Sequence, residues 1–343
     1  MIAQTARKIL NFLTRHKEKI SPLLILTHDY PDPDTLASAF ALQDIASRGF
    51  GIVSKMVYGG VIGRMENRAM VRILKIPVHK VKESDFKKYQ HAALLDTQPD
   101  FRNNSFPKNR RATIVIDQHP SEVKPNADLA VIDPECGATS VILAEALLLL
   151  KIDISERVAT ALAYGILADT LNLYRARCPE IIPIYLKILP HADMKALARI
   201  QNPSRSRKFF ITLGRSVHGA FVRRRLIVSH LGPVENPDLV SQVADFLLTY
   251  KNMQWALTTG RFHGKLHVSL RAANPSVQAG EILRDIFSNR GEAGGHDTIA
   301  GGRMTIRPAE NETVWQEAEQ GLVERLMRRL RIPIKGEFYF PFR

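Results

Sequence analysis

Cysteine is almost absent from this 343-residue sequence, which contains only Cys136 and Cys178. Two cysteines exclude a disulfide framework and a zinc site built from several cysteines. Long hydrophobic runs are also missing, because the longest apolar block, residues 138–150, contains Glu145 and is too short to span a bilayer. The first twenty residues predict an amphipathic helix and lack the continuous apolar stretch of a signal peptide. We therefore expect a cytoplasmic protein without a membrane partner.

Acidic residues are outnumbered, with 34 Asp and Glu against 48 Lys and Arg and a net charge of +14. Most of the excess, +9, falls after residue 195, where the chain has 22 basic and 13 acidic residues. This imbalance favours an anionic ligand such as a nucleotide or nucleic acid, and solubility alone is the competing explanation. With 45% hydrophobic and 24% charged residues, the composition excludes a disordered chain.

Short β-rich runs alternate with helical patterns in the first part of the chain. The runs LLILT, GIVSKMVY, HAALLD and ATIVID predict strands at residues 23–27, 51–58, 91–96 and 112–117. Such alternation predicts an α/β domain with a parallel sheet and helices on both faces. We place this domain at residues 1–195 and a linker at 196–215, around the polar stretch QNPSRSRK.

Residues 216–343 predict a second, smaller α/β domain. Strands near 217–230 and a helix at 236–249 precede a hairpin formed by MQWALTTG and KLHVSLRA. A helix at 276–287, a glycine-rich segment at 294–302, a strand at 303–307 and a long final helix complete the pattern. We expect the active site in the cleft between the two domains.

A proline-punctuated loop follows the first predicted strand and carries His28, Asp32 and Asp34. Pro31 and Pro33 stiffen this loop and reduce the entropy that is lost when its side chains are fixed. One imidazole and two carboxylates suit a hard or borderline divalent cation such as Mn²⁺. The alternative is that Asp34 only caps the helix that follows.

Further acidic residues stand at corresponding places in the predicted sheet. Asp96 and Asp117 end two other strands, and His119 follows Asp117. Because the carboxyl ends of parallel strands meet at one edge, we expect these side chains to lie near the first loop. Asp169 lies on an otherwise apolar helix, where a carboxylate needs a partner or a metal. The set predicts two metal ions that share a carboxylate, which would stabilise the attacking and leaving oxygens of phosphoryl hydrolysis.

Four ordered segments, HDYPDPDTLAS, LLD, IDQHP and GILADT, resemble the four motifs of the DHH phosphoesterases. The segments YGGVIGRMENRAM and DPECGATSVIL support this resemblance, which covers nearly the whole chain. Within the family, the sequence is similar to the branch of nano-RNase/pAp phosphatases and related exopolyphosphatases. The resemblance implies a metal-dependent phosphoesterase with a DHH-associated C-terminal domain.

The resemblance also assigns ligands to two manganese ions, with Mg²⁺ or Co²⁺ as other metals for the same site. It implies that His28, Asp32 and Asp96 hold the first ion. It implies that Asp34 and Asp169 hold the second ion together with the shared carboxylate of Asp96.

One motif departs from the family pattern, because the Asp-His-His triplet reads Asp117-Gln118-His119. The resemblance implies that His119 contacts the scissile phosphate and that Asp117 orients its neighbours. The missing histidine normally ligates the second metal, and the amide oxygen of Gln118 is a poorer donor toward transition metals. Three interpretations stay open: Gln118 ligates through oxygen or a water, substrate phosphate completes the second site, or catalysis is reduced and the protein only binds nucleotide. The first two are favoured because every other motif residue is retained.

The segment EAGGHDTIAGGRM resembles the substrate-binding glycine–glycine–histidine motif of the DHH-associated domain, which places Gly294, Gly295 and His296 at the substrate. Glycines allow close approach of the backbone to a phosphate, although a flexible loop is the alternative. Arg271 matches the family's strand arginine and is expected to clamp a terminal phosphate. By contrast, residues 223–225, three consecutive arginines, favour a solvated turn over a nucleic-acid patch.

These observations lead to one expected function and its alternatives. We expect hydrolysis of short 5′-phosphorylated oligonucleotides and of 3′-phosphoadenosine 5′-phosphate (pAp). The enzymatic alternative is hydrolysis of linear or cyclic dinucleotides or of short polyphosphate, and the alternative from another class is a non-catalytic nucleotide sensor. The expected partners are therefore short oligonucleotides or phosphorylated nucleotides, and a homodimer is left open.

Overall fold

The structure, a computed structural model, describes residues 1–121, 123–176, 178–274, 276–288, 291–308 and 311–343, without the side chain of His296. The described chain forms two compact units, Met1–Pro203 and Ser204–Arg343. The division falls within the stretch QNPSRSRK. Much of the predicted linker, 196–215, is helical. The division into a metal-binding domain at 1–195, a linker at 196–215 and a substrate-binding domain at 216–343 stays a prediction.

The first unit contains a parallel sheet of six strands. They are β1 (Leu23–Thr27), β2 (Ser54–Tyr58), β3 (Val78–Lys80), β4 (His91–Leu95), β5 (Ala112–Asp117) and β6 (Ala127–Ile132). Their order in the sheet is β3-β2-β1-β4-β5-β6, and every neighbouring pair is parallel. The order reverses between β1 and β4, and ligands of open α/β sheets bind beyond the carboxyl ends of the strands at such a point.

Helices cover this sheet and confirm the predicted α/β class. The bounds are α1 (Ile2–His16), α2 (Pro33–Asp44), α3 (Met65–Ile73), α4 (Glu83–Lys88), α5 (Thr139–Leu150), α6 (Glu156–Asp169), α7 (Ile181–Ile188) and α8 (Met194–Gln201). All five residues of β1 are buried. Leu23 and Ile25 pack into one core and Leu24 and Leu26 into another, because alternate strand residues point to opposite faces.

A close helix contact brings two of the predicted site residues toward each other. Helix α6 packs against α2 at Gly165, where an added Cβ atom would lie 2.8 Å from the Cβ of Ala37 and 3.1 Å from the carbonyl oxygen of Pro33. Only glycine permits this approach without a shift of one helix. The beginning of α2, with Asp34, and the end of α6, with Asp169, therefore lie on the same side of the unit as the carboxyl ends of the strands.

The second unit has a mixed sheet of six strands. They are β7 (Phe221–Arg223), β8 (Leu226–Pro233), β9 (Trp255–Phe262), β10 (Lys265–Ala272), β11 (Glu292–His296) and β12 (Ile299–Thr305), in the order β11-β12-β10-β9-β8-β7. Its helices are α9 (Arg207–His218), α10 (Asp238–Leu248), α11 (Ala279–Phe287) and α12 (Glu312–Arg329). One face packs on α11 and α12 and the other on α10, which confirms the predicted second α/β domain.

The glycine-rich segment is part of this sheet and not only a loop. Strands β11 and β12 pair antiparallel from Glu292–Arg303 to His296–Ile299. An added Cβ atom on Gly280 of α11 would lie 2.2 Å from the carbonyl oxygen of Gly295, so this helix and this strand touch through their backbones. The predicted strand at 303–307 therefore begins earlier, at Ile299. Among the described residues, no helix is both long and apolar enough to cross a membrane.

Candidate metal centre

Acidic and histidine side chains collect where β1, β4 and β5 end. His28 directly follows β1, Asp96 follows β4, and Asp117 is the last residue of β5. Asp32 caps the N-terminus of α2, where its Oδ1 accepts a 3.0 Å hydrogen bond from the backbone nitrogen of Thr35. The switch point of the sheet thus brings residues from three strands and one helix to one edge.

Two overlapping groups of side chains have ligand atoms close enough to hold a metal ion. The first consists of His28, Asp32 and Asp96, and the second of Asp96, Asp117 and His119. In the first group, Nε2 of His28 lies 3.9 Å from Oδ2 of Asp32 and 3.8 Å from Oδ2 of Asp96. Asp96 belongs to both groups, and its predicted role as a bridging ligand stays a prediction.

The carboxylate of Asp96 is fixed by two threonines. Its Oδ2 accepts a 2.6 Å hydrogen bond from Oγ1 of Thr35, and its Oδ1 accepts one of 2.9 Å from Oγ1 of Thr139. The residue has a left-handed backbone with φ of 57° and is only 2% exposed. A non-glycine residue in this region is uncommon and costs energy, so the surroundings must hold Asp96 in place.

Asp117 and His119 form a second fixed pair. Nδ1 of His119 lies 2.8 Å from Oδ1 of Asp117, and Nε2 of Gln98 donates to Oδ2 of Asp117 at 2.8 Å. The hydrogen bond to Asp117 raises the pKa of His119 to about 9 despite partial burial, with help from the charge of Asp96. The raised pKa favours the protonated ring in the metal-free protein, and the side chain of His119 is 45% exposed. Since Nδ1 is engaged, Nε2 is the ring atom that can donate to a ligand.

Asp34 does not join either group. Its carboxylate accepts hydrogen bonds from the backbone nitrogens of Thr139 at 2.8 Å and Ser140 at 2.9 Å, and from the hydroxyl of Ser140. It therefore caps the N-terminus of α5, where Ala138 has no side chain that could do so. The sequence alternative was that Asp34 caps the helix in which it lies, and the structure shows a different helix. Its role as a ligand of a second metal stays a prediction.

Gln118 and Asp169 contact each other. The amide nitrogen Nε2 of Gln118 donates to Oδ2 of Asp169. The amide of Gln118 thus presents a donor to the carboxylate, whereas one of the three interpretations of the sequence was that its oxygen ligates a metal. Neither residue joins the two groups of ligand atoms found among the described residues. Gln118, the residue that departs from the Asp-His-His triplet, therefore contacts Asp169, a predicted ligand of the second metal.

The negative charges of the site carboxylates repel one another, and this repulsion changes their pKa values. Burial raises the pKa of Asp34 far above its usual range, and the charges of Asp96 and Asp169 add to the effect. Burial also raises the pKa of Asp96, and that of Asp169 to about 7. For Asp32, burial acts in the same direction, but the interaction with His28 and the hydrogen bond from the backbone of Thr35 together outweigh it and lower the pKa to about 2.

A divalent cation fits this chemistry. It would offset the repulsion among buried carboxylates, which otherwise disfavours their charged forms. Carboxylate oxygens with one imidazole are a donor set typical of Mn²⁺ or Mg²⁺, and the two groups contain no sulfur ligand.

In the second unit, Arg271 has internal partners. Its guanidinium donates from Nε to Asp245 at 2.5 Å and from Nη1 to Ser269 at 2.8 Å, with further bonds to the carbonyls of Leu270 and Ala300. The residue is 4% exposed. These bonds use Nε and Nη1 and place Arg271 where it stabilises the sheet, and its predicted contact with a phosphate stays a prediction.

The other predicted substrate residues lie at the edge of the same sheet. Gly294 has open space where a Cβ atom would stand, and Gly295 has a φ of 149°, a region that favours glycine. The side chain of His296 lies outside the described residues. The substrate-binding role of these three residues stays a prediction.

Four residues of the site were not found from the sequence: Thr35, Gln98, Thr139 and Ser140. Each donates a hydrogen bond to one of the site carboxylates. Thr35 stands inside the motif HDYPDPDTLAS and Gln98 two residues after Asp96. The sequence shows that these residues lie in or near the motifs. It does not show that they donate hydrogen bonds, because a hydroxyl or amide side chain has no periodicity or charge that distinguishes it from an ordinary loop residue.

Comparison with known proteins identifies the family. The model of the DHH family, N-terminal domain, matches residues 22–166, and that of the DHHA1 domain matches residues 223–324. The chain belongs to the DHH family and carries a DHHA1 domain. DHH phosphoesterases are metal-dependent, and the two groups of ligand atoms described above could hold a metal ion.

Two relatives extend over most of the chain. An uncharacterized protein of Methanocaldococcus jannaschii is 32% identical over 321 residues, which are 93% of this chain and 65% of that protein. The chain therefore spans about two thirds of that relative. The probable bifunctional oligoribonuclease and PAP phosphatase NrnA of Streptococcus mutans is 26% identical over 314 residues, 86% of this chain and 93% of that protein.

A solved structure supports the fold. The exopolyphosphatase-related protein of Bacteroides fragilis superposes with a TM-score of 0.73 at 16% identity, covering 93% of this chain and 97% of that chain. At this identity the likeness concerns the fold alone.

Proposed function

We propose that this protein is a Mn²⁺-dependent hydrolase of short 5′-phosphorylated oligonucleotides and of pAp. The printed name of the Streptococcus mutans relative, an oligoribonuclease and PAP phosphatase, supports this choice of substrates. The basic C-terminal part, with 22 basic and 13 acidic residues after residue 195, suits anionic substrates of this kind. In this proposal, residues 1–195 bind the metal and 216–343 bind the substrate.

The observation that carries the proposal is the carboxylate of Asp96, which belongs to two groups of ligand atoms. In the group with His28 and Asp32, the distances between ligand atoms are near 4 Å, with 3.8 Å from His28 to Asp96. A buried carboxylate held by two hydroxyl donors is preorganised for a cation and costs little to arrange when one binds. His28, Asp32 and Asp96 are the residues we assign to the first ion.

A divalent ion at this edge would supply charge stabilisation for a phosphoryl group and lower the pKa of a water molecule. The chain itself supplies His119, whose raised pKa favours the positively charged form of the ring. With Nδ1 bonded to Asp117, its Nε2–H is left to donate to a non-bridging phosphate oxygen. Such a preorganised donor favours the more negative transition state over the ground state.

The second unit would bind the rest of the substrate. Gly294 and Gly295 lie on β11, where the absence of side chains allows a phosphate to approach the backbone. We assign His296 to the same substrate contact. Arg271 donates to the carbonyl of Ala300 on β12, so we assign it to holding the glycine strands in register as well as to the phosphate.

A second candidate function is nucleotide binding without turnover. It is favoured by Gln118, whose amide nitrogen donates to Asp169 at the place where the family has a metal-binding histidine. A protein that retained only one ion would bind phosphate but stabilise the leaving oxygen poorly. The enzymatic alternative is hydrolysis of linear or cyclic dinucleotides or of short polyphosphate. The experiment that tests the main proposal also tests this alternative.

The test is a substrate panel with each of Mn²⁺, Mg²⁺ and Co²⁺, analysed by chromatography of the products. The panel contains a 5′-phosphorylated dinucleotide, a longer oligonucleotide, pAp, a cyclic dinucleotide and short polyphosphate. We expect the dinucleotide and pAp to react fastest with Mn²⁺, and Asp96→Asn to lower the rate about a hundredfold or more. Asp128→Asn, at an exposed surface pair with Arg111, is the matched control and should keep the rate. Binding without product from any substrate would support the second candidate instead.

A further inference from the structure

A cavity of about 1010 Å³ lies in the second unit and is lined by none of the residues assigned above. Its wall comes from the turn between β7 and β8, the turn before β9, and the segment that follows α12. The polar and aromatic residues that line it are Arg224, Arg225, Asn252, Gln254, Trp255 and Arg331. This volume is at the upper end of the range of about 300–1,000 Å³ that ligand pockets occupy.

The cavity is positively charged, because three arginines line it and none of the described acidic residues does. No aspartate or glutamate is among the residues that line it. Among the ion pairs and hydrogen bonds of the described residues, the side chains of Arg224, Arg225 and Arg331 have no partner. Arg223, one position earlier, differs because its guanidinium donates to the carbonyls of Pro333, Lys335 and Glu337. Unneutralised arginines facing one space create a field that attracts an anion.

The sequence favoured a solvated turn for these arginines, and Arg224 and Arg225 are indeed exposed on the turn between β7 and β8. The sequence did not show that the fold brings the exposed Arg331 from the C-terminal segment to the same cavity. The turn is also fixed: the carbonyl of Arg225 accepts hydrogen bonds from the backbone nitrogens of Gln254 at 2.8 Å and Trp255 at 3.0 Å. The backbone of Arg225 is thus fixed against the segment that carries Trp255, which reduces the backbone entropy lost when a phosphate binds at this turn.

The remaining wall residues suit a nucleobase. Trp255 is half-buried and offers an aromatic surface, while Asn252 and Gln254 have amides that can donate and accept hydrogen bonds. Aromatic rings combined with cationic groups are the usual platform for a base and its phosphate. We propose that this cavity binds a nucleoside phosphate, with its phosphate on the arginines and its base against Trp255.

The cavity and the glycine strands share one end of the sheet. Trp255 pairs with Ala272 at the end of β10, and the neighbouring Arg271 pairs with Ile299, which also pairs with His296. Three strand-to-strand steps separate β9 from β11, about 14 Å at the usual spacing. The proposed cavity site is therefore separate from the glycine strands. It involves no residue assigned to the metal or to the reacting phosphate, so it does not depend on the proposed hydrolysis.

Tryptophan fluorescence can detect this binding directly. The sequence has two tryptophans, and Trp315 is only 5% exposed, so a nucleotide in the cavity should mainly change the emission of Trp255. The full chain is titrated with 5′-AMP in excess EDTA, which prevents turnover, and equilibrium dialysis with the same nucleotide provides a second readout. Adenosine and inorganic phosphate, each half of the ligand, are titrated in parallel. Trp255→Phe should abolish the fluorescence change.

We expect 5′-AMP to bind more tightly than either half. Arg331→Gln and the double variant Arg224→Gln/Arg225→Gln should each weaken binding about tenfold, the usual value of one or two charge-assisted hydrogen bonds. Arg328→Gln, in the last turn of the preceding helix α12 at an exposed pair with Glu324, is the matched control and should bind as the wild type. Asp32→Asn should also bind as the wild type, which separates this site from the metal centre.

Three results would overturn the proposal. One is the absence of saturable 5′-AMP binding by both fluorescence and dialysis. Another is arginine variants that bind as tightly as the wild type. The third is inorganic phosphate that binds as tightly as 5′-AMP, because the base would then contribute nothing. Loss of hydrolysis with retained 5′-AMP binding would instead contradict only the proposed function.

Discussion

Thr35 donates a 2.6 Å hydrogen bond from its hydroxyl to Oδ2 of Asp96. Both side chains are buried, at 0% and 2% exposure. Thr35 lies in the first turn of α2 and Asp96 at the end of β4, so this bond joins the proline-punctuated loop to the neighbouring strand at the switch point of the sheet. It fixes the carboxylate that two groups of ligand atoms share.

Replacing Thr35 by valine keeps the shape of the side chain and removes this donor. Asp96 should then lose orientation, and we expect the dissociation constant for Mn²⁺ to rise about tenfold. Thr35→Ser retains the hydroxyl and should bind Mn²⁺ nearly as the wild type. Equilibrium dialysis with Mn²⁺ checks both variants, and equal affinities of the wild type and the valine variant would contradict the positioning role.

Replacing Gln118 by histidine restores the triplet of the family. The imidazole would remove the amide that donates to Asp169 and add a nitrogen donor that transition metals prefer. We expect the Mn²⁺ affinity of the predicted second metal site to rise on the order of tenfold. Gln118→Asn, which adds no imidazole, serves as the control. A histidine variant with unchanged Mn²⁺ stoichiometry, affinity and rate would show that Gln118 is not at a metal site.

The stability of the metal-free protein should depend on the charge of His119. Its pKa is raised from 6.5 to about 9, so the protonated ring stabilises the folded state fully below pH 6.5 and loses this contribution as the pH rises through about 9. Because the side chain is 45% exposed, we discount the full shift and expect about 1 kcal/mol. Urea unfolding of the wild type and His119→Gln in EDTA should therefore differ most near pH 6. A difference that grows toward alkaline pH would contradict the assignment of the proton.

In the second unit, Asp245 neutralises the buried guanidinium of Arg271. Asp245→Asn would leave that cation without its ion pair, and we expect the free energy of unfolding to fall by about 2 kcal/mol. Asp285→Asn is the matched control, because its partner Arg329 is 50% exposed and such a pair contributes less than about 1 kcal/mol. Urea denaturation measures both changes, and equal small effects would mean that Arg271 is solvated in solution.

Much of the first unit could be predicted from the sequence. The runs LLILT and ATIVID coincide with β1 and β5, because buried parallel strands are continuous apolar runs with clear ends. Strand β6 at Ala127–Ile132 was missed, since it carries Asp128 and its residues are mostly half-exposed. The predicted strand at 51–58 begins later, at Ser54, because Gly51 has a φ of 69° and interrupts it.

The site was predictable where it depends on which residues end the strands. His28, Asp96 and Asp117 are such residues, and the parallel order brings their side chains to one edge. The partners of Asp34 and Gln118 could not be predicted from the sequence. Asp34 contacts the beginning of α5 and Gln118 contacts the end of α6, and the positions of these helix ends depend on the tertiary packing. The arginine cavity was missed for the same reason, since more than a hundred residues separate Arg331 from Arg225 in the chain.

The most direct test is anomalous scattering at the manganese edge from crystals of the protein grown with Mn²⁺. We predict a strong peak within ligand distance of His28, Asp32 and Asp96, at about 2.0–2.3 Å from the ligand atoms. Crystals of Asp96→Asn should show a much weaker peak. Wild-type crystals with no manganese between these three side chains would contradict the metal centre and the hydrolysis proposed from it.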